Sequence, residues 1–158
     1  MATLFAKGIR VDLPPRFEGR IYQRPSVAGA TSYPIVHAAT FPLSADFADF
    51  GGGATVAMQP TDIFTVLFEY GPESVGRALF ARSGPPTALG PNDFYPYLLR
   101  RGVGGQSGTQ WFFTESGRPF TFYAVLGSHA LRASLVPEVN TLLKQLTVLP
   151  ASAASLSS

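Results

Sequence analysis

The stretch 109–149, TQWFFTESGRPFTFYAVLGSHALRASLVPEVNTLLKQLTVL, limits the possible folds more than any other part of the chain. Residues 109–114 and 118–126 read as two strands, rich in aromatic and β-branched side chains. Glu115-Ser116-Gly117 supplies the turn between them, because glycine takes positive φ without steric cost. A helix is then expected from about Ser134, with Pro137 in its first turn. Glu138 and Lys144 sit near the ends where the helix dipole favours their charges. Leu135, Val139, Leu142, Leu143 and Leu146 recur at helical spacing as one apolar stripe. A hairpin cannot bury its own face, so the stripe is expected to cover it. Trp111, Phe113, Phe120 and Phe122 are therefore scaffold candidates first, and His129 is the one reactive group nearby.

Upstream, Ile9, Val11 and Leu13 alternate with Arg10 and Asp12, which predicts a strand ending at Pro14-Pro15. Residues 17–24 alternate again, with Phe17, Gly19 and Ile21 on one face and Glu18, Arg20, Tyr22 and Arg24 on the other. Together the two runs predict a hairpin around the double proline. A third strand is expected over 33–41, a loop over 45–53, a short strand over 55–58 and a turn over 59–62. The apolar run 63–70, IFTVLFEY, reads as a central strand. Short helices are expected over 72–82 and from Asn92 or Asp93 to Arg101, followed by a flexible loop over 102–108. Clustered strands without β-α alternation predict an α+β fold, a mainly antiparallel β-sheet packed by a C-terminal helix and one or two short helices. Residues 1–150 are expected to form one domain and 151–158 a flexible tail.

Cysteine is absent, which excludes disulfides, thiolate metal sites and cysteine nucleophiles. The net charge of +2, on ten Arg and two Lys, gives little long-range attraction to nucleic acid, so no nucleic-acid partner is expected. No apolar run approaches a membrane span, and the first residues lack a signal-peptide pattern, so a soluble, cytoplasmic protein is expected. Charged residues make up 14% against a usual quarter, and there are 13 Phe. Such a chain has either a large core or an apolar surface covered by a protein partner or a second copy.

His37 and His129 are the only histidines, and neither has a helical partner four residues away. A metal or acid–base site would need them to converge with a carboxylate. Ser107 and Ser128 lie beside glycines, but neither stands in a G-x-S-x-G elbow. The loop 102–108 lacks the Lys-Ser/Thr of a phosphate loop and precedes a strand. Asp46 and Asp49 read as turn residues bonded to their own backbone, and Glu69 with Glu73 mimics a glycosidase pair without sign of a cleft. No metal and no cofactor are expected. The best positive signal is Arg20, Tyr22 and Arg24 on one strand face, extended by Arg16 and Glu18. Arginine beside an aromatic can bind a carboxylate or phosphate and stack as well, though a plain solvated face has the same pattern. A sheet that stacks RNA bases would need aromatics such as Tyr22, Trp111, Phe113 and Tyr123, against which the low charge speaks.

Three further features occur together: the turn Leu13-Pro14-Pro15-Arg16-Phe17 between two strands, a long apolar strand ending in Gly127, and the closing helix LVPEVNTLLKQL. In these the chain resembles the PsbP-like fold, which includes an extrinsic photosystem subunit, nuclear Ran-binding relatives and many bacterial proteins. Arg16-Phe17 stands where that family's turn usually carries Gly-Trp. The resemblance implies a binding or scaffolding role without catalysis, and no functional residue carries over from it. The leading expectation is a non-catalytic module that contacts a protein partner or self-associates. The alternatives are a small hydrolase using His37 or His129, and a carrier of a small apolar ligand between helix and sheet.

Overall fold

The computed structural model describes residues 2–27, 29–96 and 104–150. The expected helix end at 97–101, the first two residues of the glycine loop and the tail 151–158 lie outside the described residues. Elements are numbered in chain order. Lys7 and Gly8 both have positive φ, 53° and 75°. This is the two-residue turn whose twist matches a β-hairpin. It folds β1 (Thr3–Ala6) back onto β2 (Ile9–Asp12), and β8 (Leu146–Val148) pairs on the other side of β2. The expected hairpin between residues 9–13 and 17–24 is thus corrected. The prolines cannot donate ladder hydrogen bonds, and Arg16 at φ 77° turns the chain away into a second sheet.

That sheet is five-stranded and fully antiparallel, in the order β3 (Glu18–Tyr22), β4 (Ile35–Ala39), β5 (Ile63–Glu69), β7 (Arg118–Leu126), β6 (Ser107–Glu115). The run read as central, β5, stands in the middle. The β6–β7 hairpin closes on Ser116 and Gly117 at φ 54° and 74°, as the turn residues demand. With α2 (Arg132–Lys144) the architecture is α+β.

Three helical segments depart from expectation. Residues 55–58 are no strand: Gly51 and Gly53 at φ 90° and 87° wind the chain into α1 (Ala54–Ala57), whose first amides reach the Gly51 carbonyl. Residues 72–82 form two 3₁₀ turns, Pro72–Ser74 and Ala78–Phe80, because Gly76 at φ 91° breaks any helix between them. The α2 helix starts two residues before Ser134, so Pro137 stands in its interior, where it has no N–H to donate to the carbonyl of the exposed Ala133. Leu146 belongs to β8 and not to the helical stripe.

Alternation sends the two faces of the large sheet to different covers. On the inner face Val36, Leu67, Phe113, Phe120 and Phe122 pack against Leu135, Val136, Val139, Leu142 and Leu143 of α2 and against Ile9 and Val11 of the small sheet. The stripe therefore covers the hairpin as its spacing predicts. On the outer face Ile35, Phe64, Val66 and Val125 pack under Ala54 and Met58, with Phe41, Leu43 and Phe47 around them. Among the described residues no helix is long and apolar enough to cross a membrane.

One ion pair crosses this core. Arg118 and Glu69 are 3% and 7% exposed. Arg118 donates from Nε and Nη2 to both Glu69 carboxylate oxygens, at 3.0 and 2.6 Å. Its Nη1 donates to the Leu149 carbonyl at 3.0 Å, and Leu149 in turn donates to the Gly8 carbonyl. The pair thus joins the large sheet to the small one, and Glu69 is not available to partner Glu73. A buried pair broken on one side leaves an uncompensated charge. Arg118→Ala is expected to cost about 3–5 kcal/mol in urea unfolding, and Arg118→Met with Glu69→Leu clearly less. Equal losses in the two variants would contradict this account. At Gly127 a Cβ would collide with the Gln59 carbonyl oxygen. That contact is backbone and cannot swing aside, so Gly127→Ala should lower the unfolding midpoint in the same assay.

Candidate functional site

Arg20, Tyr22 and Arg24 do share a face, and what they meet there is His37 and Asp49. Strand pairing sets Arg20 opposite His37 of β4. His37 is fully buried. Its Nε2 lies 2.8 Å from the Asp49 backbone carbonyl, which can only accept. Nε2 therefore carries the proton, and the bare Nδ1 accepts from Arg20 Nε and Nη2 at 3.3 and 3.0 Å. The Tyr22 ring stands edge-on to the imidazole at 5.1 Å, and the guanidiniums of Arg20 and Arg24 lie 5.1 and 5.2 Å from its centroid. Tyr22 donates its hydroxyl to Asp49 Oδ1 at 2.6 Å, and Arg24 donates to the same oxygen from Nε and Nη2 at 3.1 and 2.8 Å. Asp49 is thus a clasp across β3 and β4 and not a turn residue bonded to its own backbone. Near Asp46, the Asp46 amide donates to Ser44 Oγ.

The electrostatics follow from burial and these partners. Burial pushes the His37 pKa below its ordinary value, and the Arg20 charge adds to this. Burial and the Asp49 carboxylate push the Tyr22 hydroxyl well up. Burial alone would raise the Asp49 carboxyl, but hydrogen bonds from Tyr22 and Arg24 outweigh it and hold it low. The result is a neutral imidazole with both nitrogens engaged and a phenol held from ionising. Neither is placed for proton transfer.

The remaining candidates do not join this group. Arg16 pairs with Glu138 of α2, 3.0 Å from Nε to Oε1, and Glu18 accepts the Leu43 amide, so neither extends the stripe. His129 is half-buried with Nδ1 unpartnered. Its amide donates to Gly105, and its carbonyl accepts from Arg132. His37 and His129 share no partner, and among the described residues no group of three or more His, Cys, Asp or Glu could hold a metal. Ser107 is buried in β6 with its hydroxyl unpartnered, as is the Gln106 Oε1 atom, while Ser128 caps the Leu131 amide. No hydrogen bond joins either serine to either histidine, so the constellation of a serine hydrolase is not assembled among the described residues. Trp111 lies under the Arg82 guanidinium at 4.0 Å, Phe113 is buried, Tyr22 is engaged by two guanidiniums, and Tyr123 is half-buried against Phe50.

Of the three predicted residues only Arg24 reaches outwards, its side chain 52% exposed. It lines two surface hollows. One, of about 510 Å³, runs past Lys7, Tyr22, Gln23, Ser26 and Ser32. The other, of about 300 Å³, lies among Tyr33, Asp49, Phe68, Tyr70 and Glu73. Ser32 borders both and donates its hydroxyl to the Arg24 carbonyl. Arg20 lines neither. β3 is also an edge strand, with β4 its only ladder partner among the described residues.

The pH dependence of stability follows from His37. Its folded pKa lies below the unfolded value of 6.5, so the folded state binds fewer protons. Stability is therefore full above pH 6.5 and is lost as pH falls from 6.5 towards the folded pKa. Denaturant midpoints should fall between pH 7.5 and pH 5, and His37→Gln should flatten that fall. An unchanged slope in the variant would assign the effect elsewhere. No family model matches the chain, and searches of curated proteins and of solved structures find no match either.

Proposed function

We propose that the chain is a non-catalytic binding module that engages a protein partner, or a second copy of itself, through the Arg24 end of β3. The observation that carries this reading is the position of Arg24, two residues beyond the end of β3, which is an edge strand among the described residues, and between two surface hollows. Edge strands readily accept an added strand, whose alternate side chains fill flanking pockets. Val27, in the turn just beyond, is 71% exposed and adds apolar contact area. The polar groups behind Arg24 are satisfied by one another, which suits a rigid recognition surface better than chemistry. The PsbP-like resemblance points the same way. The carrier reading has less support, because the cavity between α2 and the sheet measures about 20 Å³, room for roughly one water. The absence of cysteine agrees with a cytoplasmic setting, and the low net charge with a partner other than nucleic acid.

The test is site-specific photo-crosslinking in the cell that makes the protein. A photoreactive residue at Ser26, on the larger hollow, should give an adduct of discrete mass. Arg24→Glu should reduce it severalfold, and the same probe at the exposed Ser134 of α2 should not give it. Sedimentation of the purified chain separates self-association from a foreign partner. Adducts that ignore Arg24→Glu, or that form equally from Ser134, would overturn the proposal.

A further inference from the structure

We infer that the hollow among Tyr33, Phe68, Tyr70 and Glu73 receives a cationic side chain, lysine or arginine, from the bound partner. This deepens the binding-module reading and rests on it. Three aromatic rings line it, and those of Phe68 and Tyr70 are packed against further rings. Phe68 and Tyr70 lie 5.0 Å apart between ring centroids, and Phe50 packs on Phe68 at 5.0 Å. Phe80 and Phe112 pack on Tyr70 at 5.2 and 6.3 Å. Rings packed in this way need little ordering on binding.

The charge around the hollow has one sign once its internal pairs are cancelled. Arg24 and Asp49 neutralise each other at 2.8 Å. Glu69, which also borders the hollow, gives its carboxylate to Arg118. Glu73 remains, exposed at the rim, and no ion pair or hydrogen bond of its side chain occurs among the described residues. Its carboxylate folds over Gly71, where any side chain would collide with it. Aromatic faces with one free carboxylate are the surroundings that bind a cation. An anion would meet Glu73 and find Arg24 already engaged. An apolar side chain would leave the carboxylate beside it without a counter-charge.

The volume of about 300 Å³ lies at the small end of ligand sites, which suits one side chain better than a whole molecule. The hollow also shares Arg24 and Ser32 with the larger one beside β3. A chain laid along that edge would therefore carry a side chain into it.

The experiment is an amide NMR titration of the full chain with N-acetyl-lysine methylamide and N-acetyl-arginine methylamide. N-acetyl-norleucine methylamide serves as the neutral control of similar shape. Saturable shifts are expected at the amides of Tyr70, Gly71 and Glu73 with both cations and not with norleucine. Glu73→Gln, an exposed change that leaves the rest of the spectrum in place, should weaken binding about fivefold, and added salt should do likewise. Tyr70→Leu should weaken it too, but Glu73→Gln decides should that variant fail to fold. An equal response to norleucine, an unchanged affinity in Glu73→Gln, or no saturable shift at these amides would overturn the inference. Should the amides stay silent while crosslinks from Ser26 persist and depend on Arg24, this inference falls and the binding-module reading stands.

Discussion

The bidentate pair of Arg118 and Glu69 is the constraint on which the rest of the structure depends. Glu69 and Arg118 are both nearly withdrawn from solvent, so their charges have little water to turn to and need a partner in protein. Glu69 ends β5 and Arg118 begins β7. The two can meet only if those strands pair in the register that sets Glu69 beside Phe120, whose ring lies 5.5 Å from the Arg118 guanidinium. The third contact of Arg118, to the carbonyl of Leu149, fixes where the chain must run after α2. Ser116 holds the adjacent Val148 carbonyl, so β8 is pinned to the β6–β7 turn as well as to β2. Apolar burial supplies the driving force, but it is non-directional. The ion pair selects one arrangement among those that would bury similar area.

The opposite edge of the sheet solves a similar problem differently. There a histidine is buried, and it is kept neutral by giving its proton to a backbone carbonyl and its lone pair to an arginine. Asp49 supplies both the carbonyl and the carboxylate that gathers Tyr22 and Arg24. Arg118 is committed to the fold on every side. Arg24 is held by one carboxylate oxygen and keeps half of its side chain in solvent. The same residue type thus has a purely structural place at one end of the sheet and an outward one at the other.

What could be read from the sequence was whatever depends on near neighbours. The apolar run of β5, the β6–β7 turn and the stripe of α2 as far as Leu143 follow from residues within a few positions of each other, and they stand as expected. The partner of β2 did not follow, because pairing across a sheet is non-local and alternation looks the same whichever strand lies opposite. Lys7-Gly8 was the available clue, a two-residue turn with glycine between alternating runs. α1 is one turn long, too short for periodicity to separate it from a strand. The stripe of Arg20, Tyr22 and Arg24 was legible as a face, but its clasp was not. Asp49 stands in a glycine-rich loop, where an aspartate has a ready local explanation, and the partners of its carboxylate lie 25 and 27 positions away. Glu69 and Arg118 did leave a signal. Each is a lone charge at the end of a strongly apolar strand run, and two such charges of opposite sign call for each other.

The case against chemistry at this site rests on valence and not on the scarcity of reactive residues. A general base needs a nitrogen or oxygen lone pair facing the substrate. In His37 one nitrogen is protonated and bonded to the Asp49 carbonyl, and the other faces the Arg20 guanidinium, which opposes protonation there. Freeing either would unmake the contact that holds β3 and β4 to the loop above them. Asp49 Oδ1 accepts from Tyr22 and twice from Arg24, and a carboxylate so engaged is a poor proton acceptor. The network is therefore stable because its reactive atoms are used up. What it leaves to the outside is the solvent-facing side of Arg24, oriented by the Asp49 carboxylate and the Tyr22 ring.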